Sequence, residues 1–167
     1  MLPSATGPIL GTAAQLKFMP VWIGSTPAWI DAFFIPKVIP PVVFTNYHQM
    51  NSLPFWGEDT QGMSDFLATW EKHGKEMGNP DFYVLVSFIQ GMIQLAAVNA
   101  AIDTGDLTRE GFAKALAGLK DWNAGGMIQP VDLSVFPYVT GTRTRVLKPV
   151  MDKKTWAEVA PYAAPQS

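Results

Sequence analysis

The order of elements readable in these 167 residues predicts an α/β fold. A short apolar strand, a helical stretch and a second strand open the chain, three helices fill its middle, and strands close it. Two observations carry this. Runs of β-branched and aromatic residues bounded by Pro and Gly fall toward the two ends, whereas 3.6-residue apolar periodicity dominates the centre. A third concerns the surface: only 16% of residues are charged and 48% are apolar, against ~25% charged in ordinary soluble domains. Such a chain has elements that are buried, or a surface that is covered by something else.

Taken in order, Gly11 to Phe18 predict the end of a helix and Val21-Trp22-Ile23 a short strand. Ser25 or Thr26 can cap a helix starting at Pro27 and ending at Pro36. Val42 to Thr45, after Pro40-Pro41, predict a second strand, and Asn46 to Asp59 a Pro/Gly-rich aromatic loop. Met63, Phe66, Leu67, Trp70 and Met77 share one helical face, with Glu71 and Lys75 paired at i,i+4 before Gly78-Asn79-Pro80 stops the helix. Phe82 to Ile102 form the second helix. Thr108 caps a third that turns Phe112, Ala115, Leu116 and Leu119 inward and ends at Asn123 to Gly126. Beyond it Val131, Leu133 and Val135 alternate with polar residues. Thr142 to Val146 and Thr155 to Val159 predict strands around the turn Asp152-Lys153-Lys154, and the tail from Ala160 is expected to fray.

Phe82 to Ile102 carry no charge and are long enough to cross a bilayer, which takes ~20 residues. A membrane helix is therefore one reading. A buried globular helix is favoured by the polar stripe Ser87, Gln90 and Gln94, by flanking Asp81 and Asp103 instead of Lys or Arg, and by the small residues around Ala96 to Ala101. The first eighteen residues have no positive n-region, and Pro and Gly stand where an apolar core should be. They do not read as a signal peptide. A formal charge of −2 gives no electrostatic footprint for nucleic acid. The absence of cysteine excludes disulfides, thiolate metal sites and Cys nucleophiles.

Enzyme signatures are thin. His48 and His73 are the two histidines, nothing matches HExxH, and Glu58-Asp59 is an adjacent loop pair. No P-loop, GxSxG or GxGxxG occurs, and Gly125-Gly126 lacks the spacing and the helix start. No catalytic residue, metal or cofactor is expected.

The run LTREGFAKALAGLKDWNAGGMIQPVDLS (Leu107 to Ser134) resembles the closing section of type I periplasmic solute-binding proteins of the leucine/isoleucine/valine class. A turn, a "T-x-E" helix opening, an "AL", a Gly-Gly pair and a strand follow in the family's order. Upstream, Phe66 to Ala101 resembles its aromatic helix, Pro, aromatic pair and long Ala-rich helix. AAQLKFMPVWIGST resembles the passage from a helix through L-G-x-x-P to a strand and Gly, with Lys17-Phe18 replacing the usual Gly. Arg145-Val146 through Met151-Asp152-Lys153 to Trp156 resembles the last hairpin, with Lys153 or Lys154 in place of the turn glycine.

The resemblance implies part of a two-lobed fold with flavodoxin-like lobes, closing on a small solute by hinge motion. This chain would be its C-terminal half. Residues 1–45 would be a remnant of the second lobe, 46–62 a hinge-crossing loop, 63–140 the helical part of the first lobe, and 141–167 the last crossing, hairpin and tail. Implied partners are a small organic solute (amino acid, amide, or aromatic or other organic acid), the membrane permease of an ABC importer, and a missing N-terminal half or another chain that covers apolar surface. The implied location is periplasmic or extracytoplasmic.

Solute sites in this fold sit at the carboxyl ends of strands, in the interlobe cleft. By resemblance, Trp22, Gly24 and Ser25 meet the ligand's polar head, Tyr47 and His48 leave the second strand toward a crossing, and Tyr83 packs on the solute. Each has a plainer alternative: a core aromatic for Trp22, loop packing for Tyr47 and His48, a first-turn core residue for Tyr83. No Asp or Glu lies between Lys17 and Asp31, where an amino-acid ammonium would want one. A sensor on the same fold, or a stand-alone α/β interaction domain, are the rival functions.

Overall fold

The computed structural model describes residues 2–135 and 142–164. They form two units, Met1–Gly57 with Arg143–Ser167, and Glu58–Thr142. The chain is of mixed α/β class, as the order of elements predicts.

In the first unit, α1 (Pro3–Gln15) precedes a four-stranded sheet of order β1-β2-β3-β4, made of β1 (Trp22–Ser25), β2 (Tyr47–Asn51), β3 (Thr144–Val150) and β4 (Thr155–Ala163). β1 and β2 run parallel, with Trp22 opposite Tyr47 and Gly24 opposite Gln49. β2, β3 and β4 are successively antiparallel. Tyr47, Gln49 and Asn51 alternate into the interior, as the two-residue period of a strand requires.

Three expectations fail in this unit. The helix from Pro27 is replaced by 3-10 turns at Thr26–Ala28 and Asp31–Phe34, with Trp29 and Ile30 extended between them. The broken path turns Trp29, Phe33 and Phe34 inward together. Val42 to Thr45 are not a strand either: Pro41–Phe44 is a 3-10 turn that buries Val43 and Phe44. The strand comes later, at Tyr47–Asn51, inside the expected loop. Apolar residues there serve the core at Val43 and Phe44 from a turn and not from extended backbone, while Val42 stays exposed. Finally, β4 continues to Ala163, so residues 160–163 pair with β3 instead of fraying.

Of the two lysines at the hairpin turn, one takes the conformation of the replaced glycine. Lys154 adopts φ +52°, the left-handed conformation that favours glycine.

Trp29 stands at the centre of the core of this unit. Its ring lies 4.5 Å from Trp156, 4.9 Å from Phe34, 5.0 Å from Phe44 and 5.3 Å from Phe33, centroid to centroid. Leu10 of α1, Val43, Tyr47 and Leu147 complete the cluster.

The second unit is helical in its described residues: α2 (Gln61–His73), α3 (Phe82–Thr104) and α4 (Arg109–Ala117). Each starts on a side-chain cap. Thr60 Oγ1 accepts from the Met63 N–H, Asp81 Oδ1 from Val84 and Thr108 Oγ1 from Gly111, at 3.2, 3.0 and 3.1 Å. The Glu71–Lys75 pair forms as expected. Met77 does not join the apolar face, because α2 ends at His73 and Met77 stands exposed in a following 3-10 turn. Val131, Leu133 and Val135 form no strand. Val131 makes one antiparallel bridge to Trp122, Leu133 is buried, and Val135 is exposed.

Glycine is required by contact at Gly62, where a Cβ would collide with the Ala124 carbonyl, and by conformation at Gly125, φ +65°.

α3 departs from the buried helix that its sequence favours. It is long and apolar enough to cross a membrane, yet only 22% of its most apolar window is buried. Phe82, Leu85, Ile89, Ala97 and Ala101 form the buried stripe. Leu95, Val98 and Ile102, at i, i+3 and i+7, form an exposed apolar one.

The start of α4 carries a pH dependence. Asp106 Oδ1 accepts from the Thr108 hydroxyl at 2.6 Å and from its N–H at 3.1 Å, and these bonds, the hydroxyl first, hold the carboxyl below its ordinary value. A lowered folded-state pKa stabilises above the unfolded value, ~3.9, and that contribution is lost as pH falls through the folded one. Amide protection across α4 is therefore expected to weaken in acid below about pH 4. Hydrogen exchange of the Asp106→Asn variant checks it: its protection should lose this acid step.

Candidate functional site

The first unit contains a recess of about 320 Å³ between α1 and the β1–β2 end of the sheet. Thr6, Ile9 and Leu10 form the α1 wall. Trp22, Ile23, Gly24 and Ser25 form the β1 wall, closed off by Ala28, Tyr47 and Met50. No charged side chain lines it among the described residues.

The recess brings together four of the six residues singled out in the sequence: Trp22, Gly24, Ser25 and Tyr47. His48 and Tyr83 are not in its lining. His48 lies in β2 and not in a loop leaving it, opposite Ile23, with its Nδ1 buried and without a hydrogen-bond partner among the described residues. Tyr83 is the second residue of α3 in the other unit, 39% exposed, with its ring edge-on to Phe82 at 5.6 Å.

Tyr47 is also misplaced by the loop expectation. It is 2% exposed, and its hydroxyl donates to Gln49 Oε1 at 3.0 Å. Burial pushes the phenol above its ordinary value, so it stays neutral and acts as a donor. The chain of polar groups continues under the carboxyl ends of the parallel strands. Gln49 Nε2 donates to the Thr26 carbonyl at 3.2 Å, and the Thr26 hydroxyl to Asn51 Oδ1 at 3.0 Å. Gln49 and Asn51 escaped notice in the sequence because a strand was not expected there; the two-residue spacing of Tyr47, Gln49 and Asn51 was an available signal only for a reader expecting a polar inner face. Asp31, the first acid after β1, accepts from the Trp56 indole N–H at 2.9 Å.

Gly24 and Tyr47 fit as a pair. A Cβ at position 24 would collide with the Tyr47 hydroxyl, whose ring has a packed core behind it. Gly24→Ala is expected to destabilise this unit by about 1–3 kcal/mol through overpacking. Denaturant titration of Gly24→Ala, Tyr47→Phe and the double variant checks this: the double should cost less than the sum of the singles, and strict additivity would refute the pairing.

No protein-family model matches the sequence, and no curated protein matches it either. Solved structures do match. A fatty acid ABC transporter substrate-binding protein from Thermomonospora curvata superposes with TM-score 0.83 at 18% identity, over 99% of this chain and 42% of its own. A substrate-binding periplasmic protein from Ralstonia solanacearum gives 0.78 at 15%, over 95% and 43%. A branched-chain amino acid ABC transporter protein from Thermus thermophilus, with bound valine, gives 0.73 at 16%, over 98% and 44%. The chain has the fold of part of a type I periplasmic binding protein. It spans less than half the length of each of these two-lobed binding proteins. The recess runs along the whole of β1, from Trp22 to Ser25, and reaches the carboxyl ends of the parallel pair at Ser25 and Met50, the usual place for a ligand in open α/β sheets.

Proposed function

We propose that this chain is a C-terminal portion of a non-catalytic solute-binding component of an ABC importer, acting in the periplasm or outside the cytoplasm. Its solute is a small organic acid with an aliphatic or aromatic body. The observation that carries the reading is the superposition over 99% of the chain on a fatty acid ABC transporter substrate-binding protein. The recess supports it, since Trp22, Gly24, Ser25 and Tyr47 meet there. Its apolar lining suits a hydrocarbon or ring. It offers no carboxylate for the ammonium of an α-amino acid, and the nearest acid in sequence, Asp31, is engaged with Trp56. His48 and Tyr83 belong to the proposal as further contacts, the permease as the partner that receives the solute. The two units correspond in it to parts of two lobes, and a longer product supplies the rest and covers the apolar surface.

The test is tryptophan emission during titration with octanoate, benzoate and valine, read as the difference between the native protein and Trp22→Phe. Octanoate or benzoate should shift the Trp22 emission and raise the melting temperature. A response to valine alone would sink the solute class, and silence to all three would sink the recess as a solute site.

A further inference from the structure

The formal charge of −2 is divided unevenly between the two units. The first holds seven Lys and Arg against three Asp and Glu, a net +4, and the second five against eleven, a net −6. Two of the first unit's three acids are engaged. Asp31 accepts from the Trp56 indole, and Glu158 faces the buried Arg145 guanidinium at 3.7 Å. The strand register gathers part of the positive charge at one end of the sheet. β1 and β2 are parallel, so their amino ends lie together. β3 runs back along β2, with Gln49 opposite Leu147 and Asn51 opposite Arg145, so the β3–β4 turn at residues 151–154 comes to that same end. The connection Leu16–Val21 enters β1 there, and the Asn46 side-chain amide ties it to the approach to β2 by donating to the Met19 carbonyl at 2.9 Å.

We propose that this amino end of the sheet rests on an anionic lipid surface, with lysine ammonium groups at the phosphates and apolar side chains entering the boundary between headgroups and acyl chains. None of the residues involved lines the recess, and the proposal is independent of the solute.

Three observations specify the partner. The first is charge. Lys17, Lys153 and Lys154 are exposed at this end and form no ion pair among the described residues, while Asp152 is the single acid of the turn. The second is the company these lysines keep. Leu16 and Phe18, on either side of Lys17, are 74% and 60% exposed, and Val42, in the turn leading into β2, is 60% exposed. A nucleic acid or an acidic peptide would satisfy the ammonium groups and give these apolar tips nothing to enter. A neutral apolar partner would do the reverse. A lipid interface meets both within one layer, since lysine stems lie along apolar material while their heads stay at the phosphates. The third is shape. The residues come from three separate turns at the end of a sheet, which present tips to a plane and enclose no groove.

Co-sedimentation of the 167-residue chain with vesicles tests this, comparing phosphatidylcholine alone with phosphatidylcholine containing about one third phosphatidylglycerol. Partitioning should be about tenfold stronger on the anionic vesicles and should fall away in about 0.5 M salt. Reversing Lys17, Lys153 and Lys154 to Glu should abolish the difference. Reversing Lys72, Lys114 and Lys120 of the second unit changes the net charge equally and should leave the difference in place. Phe18→Ser should weaken binding several-fold with the charge unchanged. Leu16→Ser serves if Phe18→Ser fails to fold. Equal binding to both vesicles, or binding to neither, overturns the proposal. So does equal weakening by the two charge reversals, which would assign the effect to net charge. Anionic binding that both serine variants leave untouched also overturns it, assigning the lysines to a soluble acidic partner. The readout does not involve the recess, so a failed solute titration leaves this result standing, and the reverse.

Discussion

Trp29→Ala is expected to cost the first unit about 3–5 kcal/mol, the range for removing a large buried aromatic. The residue is 2% exposed and touches rings from three different stretches of chain: Phe33 and Phe34, Phe44 and Tyr47, and Trp156 of β4. Removing it leaves a cavity at the one point where the 3-10 turns, β2 and the terminal hairpin meet. A whole domain has only about 5–15 kcal/mol of stability, so the loss brings this unit close to unfolding at ordinary temperature. Near-ultraviolet circular dichroism checks it, because Trp29 and Trp156 at 4.5 Å are close enough to couple. The variant should lose that signal and melt earlier, and Trp29→Phe should recover part of the stability. An unchanged melt would mean that the ring cluster is not the centre of the core.

Arg145→Ala is expected to cost about 2–4 kcal/mol, from a charged hydrogen bond and two ring contacts. Arg145 is 6% exposed, a rare situation for a guanidinium. Its group lies 4.8 Å from the ring centroids of both Phe55 and Tyr162. Nη2 donates to the Leu53 carbonyl at 3.0 Å, and Nη1 stands 3.7 Å from Glu158 Oε2. The planar fork fits between two rings where an ammonium does not, so Arg145→Lys should recover less than half of the loss. Urea denaturation decides it. A cost within about 0.5 kcal/mol, the scatter of ordinary surface substitutions, would show that the cage contributes nothing.

The helical half was well legible. The Thr108 cap, the Glu71–Lys75 pair and the extent of α3 follow from rules acting within a few residues. The parallel pair was only half legible. β1 announces itself between Pro20 and Gly24, but β2 is Tyr-His-Gln-Met-Asn, whose polar residues find partners far away in sequence, such as Thr26. Only tertiary hydrogen bonding makes such a segment a strand. The prolines from Pro27 to Pro41 misled in the opposite sense, since apolar density there records a core and not a regular element. Of the candidate site, Trp22, Gly24 and Ser25 could be placed because they follow a recognisable strand. Tyr47 reached the right recess from a wrongly drawn loop. The exposed stripe of α3 was not legible at all, because periodicity reports that residues are apolar and cannot report what lies opposite them.

The fit of Gly24 under the Tyr47 hydroxyl also constrains descent. Gly24 stands opposite Gln49, two residues along from the partner of Tyr47, and the phenol reaches diagonally across the parallel pair, so any side chain at 24 occupies space that the phenol holds. A lineage starting from this sequence must shrink position 47 before it can enlarge position 24; the opposite order passes through a strained intermediate. Among relatives, the two positions should therefore change together, with glycine at 24 wherever a tyrosine stands at 47. In chimeras that join the first strand of one protein to the second strand of another, parents should succeed or fail according to this one pair.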